Sequence, residues 1–334
     1  MECGISTGER VDADPLIVSA GMAHRAMTMS ILELADEAGY RAALIDAADA
    51  TVTAWPRFAW TVRAAAHGLG RRGLAEGDTV GVFVQDAVSA AIAVNAIRAA
   101  GAAACLIGPD VSPADIAARL NACGARLLVT SAPLAELATV GADRSRVRQV
   151  IAFGEAPGMT PFSSLLESAR HGQPTEHGAL DGSGPVDEPG RPEGDGLAEE
   201  HGGPGSWSDS AGELTYRDVV VAAPPCGDGQ AYTSLLDLTL LTGATLVAAP
   251  LPLVTAAMRV YKGTAAIVPR GTHVPGVPPD RVFPVALSPI AAPGAPAAWS
   301  YPFGWLHLRA VGHERSVMHL SAKRSWKLRA PRNF

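Results

Sequence analysis

The sequence predicts an α/β fold in which layers of parallel β-sheet are covered by helices. Short apolar runs rich in β-branched residues alternate with Ala-rich helical segments, and this alternation is regular over residues 30–169. Parallel strands need crossover connections of about a dozen residues or more, which helices usually supply. An apolar content of 48% with only 5% aromatic residues fits helices that pack closely on sheets.

Residues 77–109 contain the clearest β-α-β unit. The β-branched run 79–84 predicts a strand, the Ala-rich stretch 89–100 predicts a helix, and the apolar run 102–107 predicts a second strand. We expect Gly101 to end the helix in a left-handed conformation, because glycine adopts that conformation without steric cost.

Two helices and a strand are expected before this unit. Ser30 and Glu33 have the spacing of a capping box and predict a helix over 30–38. The run 41–46 predicts a short strand. Apolar residues at helical spacing then predict an amphipathic helix over 56–72.

The glycines at the end of that helix imitate a dinucleotide-binding motif. Gly68, Gly70 and Gly73 have the G-x-G-x-x-G spacing, but a dinucleotide loop should follow a strand and open a helix. Here the glycines close a helix and precede a strand. We therefore predict a helix terminus and a turn, and no NAD site.

The later elements continue the alternation. Ser112 is expected to cap its helix, because a proline follows it and an acidic residue lies in the first turn. Further strands are predicted at 126–130, 148–153, 217–223, 244–249 and 264–268, and further helices at 133–140, 161–169, 231–241 and 252–260.

Changes in composition divide the chain into five segments. Residues 171–213 carry ten acidic residues against one base and few apolar side chains, which predicts a disordered acidic insertion or linker. Prolines recur after residue 269 and the end of the chain is basic, which predicts an irregular tail. The predicted segments are a leader (1–29), a first α/β subdomain (30–170), the linker (171–213), a second α/β segment (214–270) and the tail (271–334).

Composition and charge exclude several classes of function. A formal charge of −6 gives no reason to expect nucleic acid or an anionic membrane as a partner. No apolar run approaches the length of about 20 residues that a membrane helix needs, and the acidic N-terminus does not resemble a signal peptide. Widely spaced cysteines favour free thiols in a reducing cytoplasm over a metal site; they are Cys3, Cys105, Cys123 and Cys226.

Seven short segments occur in an order found in one protein family. They are Ala-Leu-Ile-Asp at 43–46, Ala-His-Gly-Leu at 66–69, Gly-Asp-Thr-Val-Gly-Val at 77–82, Ile-Arg-Ala-Ala-Gly-Ala at 97–102, Gly-Ala-Arg-Leu-Leu-Val-Thr at 124–130, Gly-Ala-Thr-Leu-Val at 243–247 and Tyr-Lys-Gly-Thr at 261–264. Together they resemble the N-terminal domain of the adenylate-forming (AMP-binding) superfamily, which includes acyl-CoA and aryl-CoA synthetases. The resemblance implies a partial, truncated or degenerate domain of that kind.

The resemblance also implies a reaction, but several motifs that the family uses for this reaction are not matched in the sequence. It implies activation of a small carboxylic acid as an acyl adenylate and then a CoA thioester, with ATP, Mg and CoA as cofactors. The family's phosphate loop should fall in the linker, where the nearest candidate, 205–212, has no lysine and carries Asp209. The family's Tyr-Gly-x-Thr-Glu segment and its catalytic-lysine domain have no match. We therefore assign no catalytic residue and no metal site, and expect this chain alone to be inactive.

The turn after the strand predicted at 217–223 is the candidate substrate pocket. It consists of Pro225, Cys226, Gly227 and Asp228. Ligands of open α/β sheets bind at the carboxyl ends of the strands, and in the resembled family this loop borders the acyl pocket. A Gly-rich turn without a binding role is the alternative explanation.

Two other hypotheses for the whole chain stay open. One is a non-catalytic α/β module that binds an acyl ligand or an unknown protein partner. The other is a frameshifted or truncated gene product, which the Pro-rich and basic C-terminal region would explain.

Overall fold

Two mostly parallel sheets enclose a layer of helices. The structure is a computed structural model that describes residues 15–167, 214–225, 229–285, 305–306 and 318–319. The predicted acidic linker at 171–213 lies outside the described residues. Among the residues that the structure does describe, no helix combines the length and the apolar character needed to cross a membrane.

Helices and strands alternate along most of the described chain. The helices are α1 (Pro15–Glu37), α2 (Trp55–Arg71), α3 (Ala87–Ala99), α4 (Pro113–Ala122), α5 (Ala135–Asp143), α6 (Ser163–Leu166), α7 (Gly229–Leu241) and α8 (Val254–Val260). The strands are β1 (Ala42–Asp46), β2 (Val52–Ala54), β3 (Thr79–Phe83), β4 (Ala103–Leu106), β5 (Leu127–Ser131), β6 (Gln149–Phe153), β7 (Thr160–Pro161), β8 (Val219–Ala222), β9 (Thr245–Ala248), β10 (Ala265–Pro269), β11 (Val282–Val285), β12 (Trp305–Leu306) and β13 (Met318–His319).

The larger strands form two sheets, which we call sheet A and sheet B. Sheet A has the order β11-β10-β8-β9-β1-β2 and is parallel except for β2 at its edge. Sheet B has the order β4-β3-β5-β6-β7 and is parallel throughout. The short strands β12 and β13 pair antiparallel with each other. These sheets and their helices confirm the predicted fold class.

Helices α1, α2, α3 and α7 form the layer between the sheets. Helix α3 contacts β3 and β4 of sheet B and also β1 and β9 of sheet A. Helix α7 similarly contacts β4 on one side and β9 and β11 on the other. Helices α4 and α5 pack outside sheet B, and α8 packs outside sheet A. One continuous apolar cluster therefore joins both sheets through the helical layer.

The two α/β segments predicted from the sequence share a sheet. Strand β1 belongs to the first segment, yet it pairs in parallel with β9 of the second, with Leu44 opposite Leu246. The hydroxyl of Thr245 also donates a hydrogen bond to the carbonyl of Ala42 at 2.9 Å. The two parts of the chain are thus joined by backbone pairing as well as by the common core.

Helix α1 begins earlier than the capping box predicts. It starts at Pro15, so the segment predicted as a leader is helical from that residue. Ser30 lies inside the helix, where its hydroxyl donates to the carbonyl of Ala26 at 3.2 Å, so the predicted N-cap is wrong. The start was missed because 15–29 has no clear apolar period. This part of α1 contacts other helices. The hydroxyl of Thr28, for example, donates a hydrogen bond to the side chain of the buried Asn95 in α3 at 2.9 Å.

The segment predicted to be irregular after residue 270 contains a core strand. Strand β11 pairs with β10, and the side chains of Phe283 and Val285 are buried. Its density of prolines argued against a strand. Pro284 is tolerated because β11 is the edge strand of sheet A, where one side of the backbone needs no partner.

The predicted helix ends and turns are largely confirmed. Gly101 follows α3 with a φ of 84°, in the left-handed region. The side chain of Ser112 accepts a hydrogen bond from the backbone of Asp115 and caps α4. The glycines of the G-x-G-x-x-G match close α2 and turn toward β3, with Gly73 at a φ of 88°, as expected for a helix terminus.

The left-handed conformation of Gly101 generates a stability prediction. We expect Gly101→Ala to lower the free energy of unfolding by about 1 kcal/mol or more, because a Cβ is strained at this φ. Gly70→Ala is the matched control: its Cβ would meet nothing within 4 Å, and its backbone is not left-handed. Urea unfolding of both variants checks this, and equal midpoints for the two would contradict it.

Candidate functional site

The predicted pocket turn joins the middle of sheet A to the helical layer. Strand β8 lies between β10 and β9, and the chain leaves its carboxyl end through Ala223 and the buried Pro225. Helix α7 begins at Gly229. Cys226, Gly227 and Asp228 lie outside the described residues, so their role as a pocket stays a prediction. The position matches the place where open parallel sheets bind ligands.

The start of α7 is held against both sheets. The hydroxyl of the buried Tyr232 donates to the carbonyl of Ala223 at 2.6 Å and ties the first turn of the helix to the end of β8. On the other side, a Cβ on Gly229 would lie 2.6 Å from the carbonyl oxygen of Leu106 in β4. Glycine therefore allows α7 to begin directly beside the carboxyl end of sheet B.

Carboxylates gather where β1 of sheet A and β3 of sheet B end. Burial is the main cause that raises the pKa of Asp46, and the charges of Asp49 and Asp86 raise it further, against a hydrogen bond from the Ala48 N–H. Asp86 accepts a hydrogen bond from the backbone of Ser89 at 2.6 Å and caps α3. Among the described residues, no group of three or more His, Cys, Asp or Glu side chains is arranged to hold a metal ion.

A buried ion pair lies behind the turn, inside the helical layer. Arg98 of α3 donates to Asp237 of α7 at 2.6 Å, and the exposed fractions of the two side chains are 6% and 3%. Burial raises the pKa of Asp237, and the guanidinium of Arg98 opposes that shift. The second carboxylate oxygen of Asp237 has no hydrogen-bond partner within the described part of the chain. The pair therefore connects α3 to the helix that leaves the candidate site.

His24 of α1 lies close to this pair. Burial lowers its pKa from 6.5 to about 4, and the positive charge of Arg98 contributes to the lowering. The imidazole is consequently neutral at physiological pH. A neutral histidine beside a buried guanidinium avoids placing a second positive charge in the helical layer.

Sequence reasoning missed the buried pair, because 139 positions separate its members. A signal was nevertheless present, since Arg98 and Asp237 are isolated charges within strongly apolar helices. His67, in the Ala-His-Gly-Leu segment, is exposed on α2. The phosphate-loop candidate at 205–212 lies outside the described residues.

Comparison with known proteins identifies the family that the first half of the chain resembles. Residues 33–189 match the family described as AMP-binding enzyme. This match confirms the resemblance to adenylate-forming enzymes that the sequence segments predicted. No curated protein matches the chain.

Solved structures of similar fold include several CoA ligases. A long-chain-fatty-acid-CoA ligase from Archaeoglobus fulgidus is 17% identical with a TM-score of 0.55, covering 73% of this chain and 51% of that one. An anthranilate CoA ligase in complex with anthranoyl-AMP is 18% identical with a TM-score of 0.53, covering 72% and 49%. A benzoate CoA ligase from Burkholderia xenovorans LB400 is 16% identical with a TM-score of 0.52, covering 78% and 54%. At these identities the similarity shows the fold alone, and this chain spans about half the length of these structures.

The buried pair generates a double-mutant prediction. We expect Arg98→Met and Asp237→Leu each to lower the free energy of unfolding by about 3–5 kcal/mol, because each leaves a buried charge without its partner. The double variant should recover most of that loss, since it removes both charges. Urea unfolding of the four proteins measures the coupling. Additive losses in the double variant would show that the two side chains act independently.

The lowered pKa of His24 generates a pH prediction. The unfolded chain takes up a proton near pH 6.5 and the folded chain only near pH 4, so acidification through this window favours unfolding. We expect His24→Gln to lose less stability than the wild type between these pH values. Thermal unfolding across the window checks this, and parallel curves for His24→Gln and wild type would contradict it.

Proposed function

We propose that this chain binds a small carboxylic acid at the turn between β8 and α7, and that by itself it does not convert the acid to an adenylate. The observation that carries the proposal is the placement of this turn. It leaves an interior parallel strand and enters a helix held against both sheets by Tyr232 and Gly229. The adenylate-forming-ligase-like fold supports the same class of ligand.

The direction of α7 favours an acid at this position. The helix begins at the turn, so the positive end of its dipole lies there. A carboxylate is stabilised at such an end, and an apolar acyl or aryl group could pack on the neighbouring apolar core. The solved structures of similar fold include ligases of long-chain fatty acids, anthranilate and benzoate, which defines the acids to test.

The composition of residues 171–213 argues against adenylation. Adenylation needs the charge of the triphosphate to be neutralised by lysine, magnesium and loop amides. Ten carboxylates occupy the segment where the phosphate loop is expected, and the nearest loop candidate, 205–212, has no lysine. Losing one well-placed donor typically costs about 100- to 1,000-fold in rate.

The proposal also covers location and partners. We propose a cytoplasmic protein, because its cysteines are widely spaced and their pattern suits a reducing compartment. The net negative charge argues against nucleic acid as a partner.

Calorimetry and pyrophosphate exchange test the proposal together. We expect heat of binding from at least one acid in a panel of benzoates, anthranilates and fatty acids, and ATP–pyrophosphate exchange no higher than in a reaction without protein. Exchange above that background would contradict the proposal and show that this chain forms acyl adenylates. Absence of acid binding would reject the proposal and leave an interaction module or a truncated gene product.

Two variants localise any binding to the turn. Gly229→Ala should weaken acid binding by about tenfold or more, equivalent to about 1.4 kcal/mol, because its Cβ forces α7 away from Leu106. Cys226→Phe adds bulk to the predicted pocket itself. Gly70→Ala is the control and should bind as the wild type does. Circular dichroism confirms folding, and unchanged affinity in both folded variants would place the ligand elsewhere.

A further inference from the structure

Two cysteines that are distant in the sequence meet on the outer face of sheet B. Cys105 lies in β4, opposite Gly81 of β3 in the parallel register. Gly81 has no side chain, and a Cβ there would collide with the Leu120 side chain of α4. Helix α4 therefore lies directly on β3. Cys123 follows Leu120 by one turn and is brought beside Cys105.

The two thiols interact with each other. Both residues lie on the outer face of sheet B, where each thiol influences the protonation of the other, and Cys123 Sγ lies 3.5 Å from the carbonyl oxygen of Leu120. Both cysteines are free and half-buried. A small oxidant can consequently reach the pair, whereas the surrounding packing keeps the two sulfur atoms together.

The surroundings make the two thiols chemically unequal. The hydrogen bond from Cys105 is the largest cause that lowers the pKa of Cys123 to about 7, and backbone N–H groups contribute. The same hydrogen bond and burial raise the pKa of Cys105, which the nearby charge of Arg119 opposes. The thiolate is the reactive form of cysteine. Cys123 is thus suited to react first and Cys105 to react second.

We propose that Cys105 and Cys123 form a redox-active dithiol that a hydroperoxide oxidises to an intrachain disulfide. In the first step the Cys123 thiolate attacks the peroxide oxygen, which breaks the O–O bond, forms a sulfenic acid and releases water or an alcohol after protonation. In the second step Cys105 sulfur attacks the sulfenic sulfur, forms the S–S bond and releases water. The two sulfur atoms together lose two electrons, which reduce the peroxide.

The disulfide would attach the end of α4 to the edge strand of sheet B. The closed loop runs from Cys105, near the end of β4, through the connection and all of α4. In a reducing cytoplasm such a bond is transient and responds to oxidant, in contrast to a permanent structural crosslink. This inference does not depend on the proposed acid site, which involves α7 on the inner face of sheet B, whereas the thiol pair lies on its outer face.

Peptide mapping of the full chain tests the inference directly. The reduced protein is treated with hydrogen peroxide, alkylated, and digested with trypsin without reductant. Cleavage after Arg98, Arg119 and Arg126 places Cys105 and Cys123 on separate peptides, so an intrachain bond appears as a linked pair. We expect this pair to dominate, with Cys3 and Cys226 recovered in alkylated form. Alkylation of all four cysteines after peroxide treatment would overturn the proposal.

Single substitutions separate the two steps. Cys105→Ser should abolish the linked pair and leave a Cys123 sulfenic acid that dimedone traps, whereas Cys123→Ser should leave Cys105 alkylated. Cys226→Ser is the matched control and should retain the link. If either serine variant fails to fold, pretreatment of the wild type with phenylarsine oxide, which binds paired thiols, should prevent the link. Absence of the link from the untreated wild type as well would overturn the proposal.

Discussion

Helix α3 is buried against a sheet on each side, and the rest of the structure depends on this close approach. A helix in such a position has no hydrated face, and close packing on both sides favours small side chains over bulky ones. Its sequence meets this constraint with alanines that are almost fully buried: Ala87, Ala90, Ala91, Ala93 and Ala96. Larger side chains would force the sheets apart, and overpacking of this kind typically costs about 1–3 kcal/mol.

The polar groups inside this layer are arranged in pairs. Arg98 contacts Asp237, and Thr28 contacts Asn95, so that α3 is joined to α7 and to α1 by directional contacts. Apolar packing alone would tolerate small sliding movements of one helix along another. A buried ion pair disfavours such movements, because any shift would separate two charges in a poorly solvated environment. We infer that the pair sets the position of α7, and with it the turn where the acid is proposed to bind.

The proposed binding turn and the thiol pair use different parts of one scaffold. The residues on either side of the turn, Pro225 and Gly229, lie where strands of both sheets end and α7 begins. The thiol pair lies on the outer face of sheet B, where α4 covers β3 and β4. A ligand at the turn would therefore act through α7, whereas oxidation of the thiols would act on α4. The two can be perturbed separately by substitution.

The sequence by itself determined the alternation of strands and helices, the end of α3 at Gly101 and the cap at Ser112, because these depend on residues that are close along the chain. The order of short segments was also enough to identify the resemblance to adenylate-forming enzymes. Only the tertiary structure decided that β1 joins β9, that β11 enters the core despite Pro284, and that α1 begins at Pro15. It also decided which polar residues meet, namely Arg98 with Asp237 and Cys105 with Cys123. These outcomes depend on contacts between distant segments, whose energies have no counterpart in local spacing or composition.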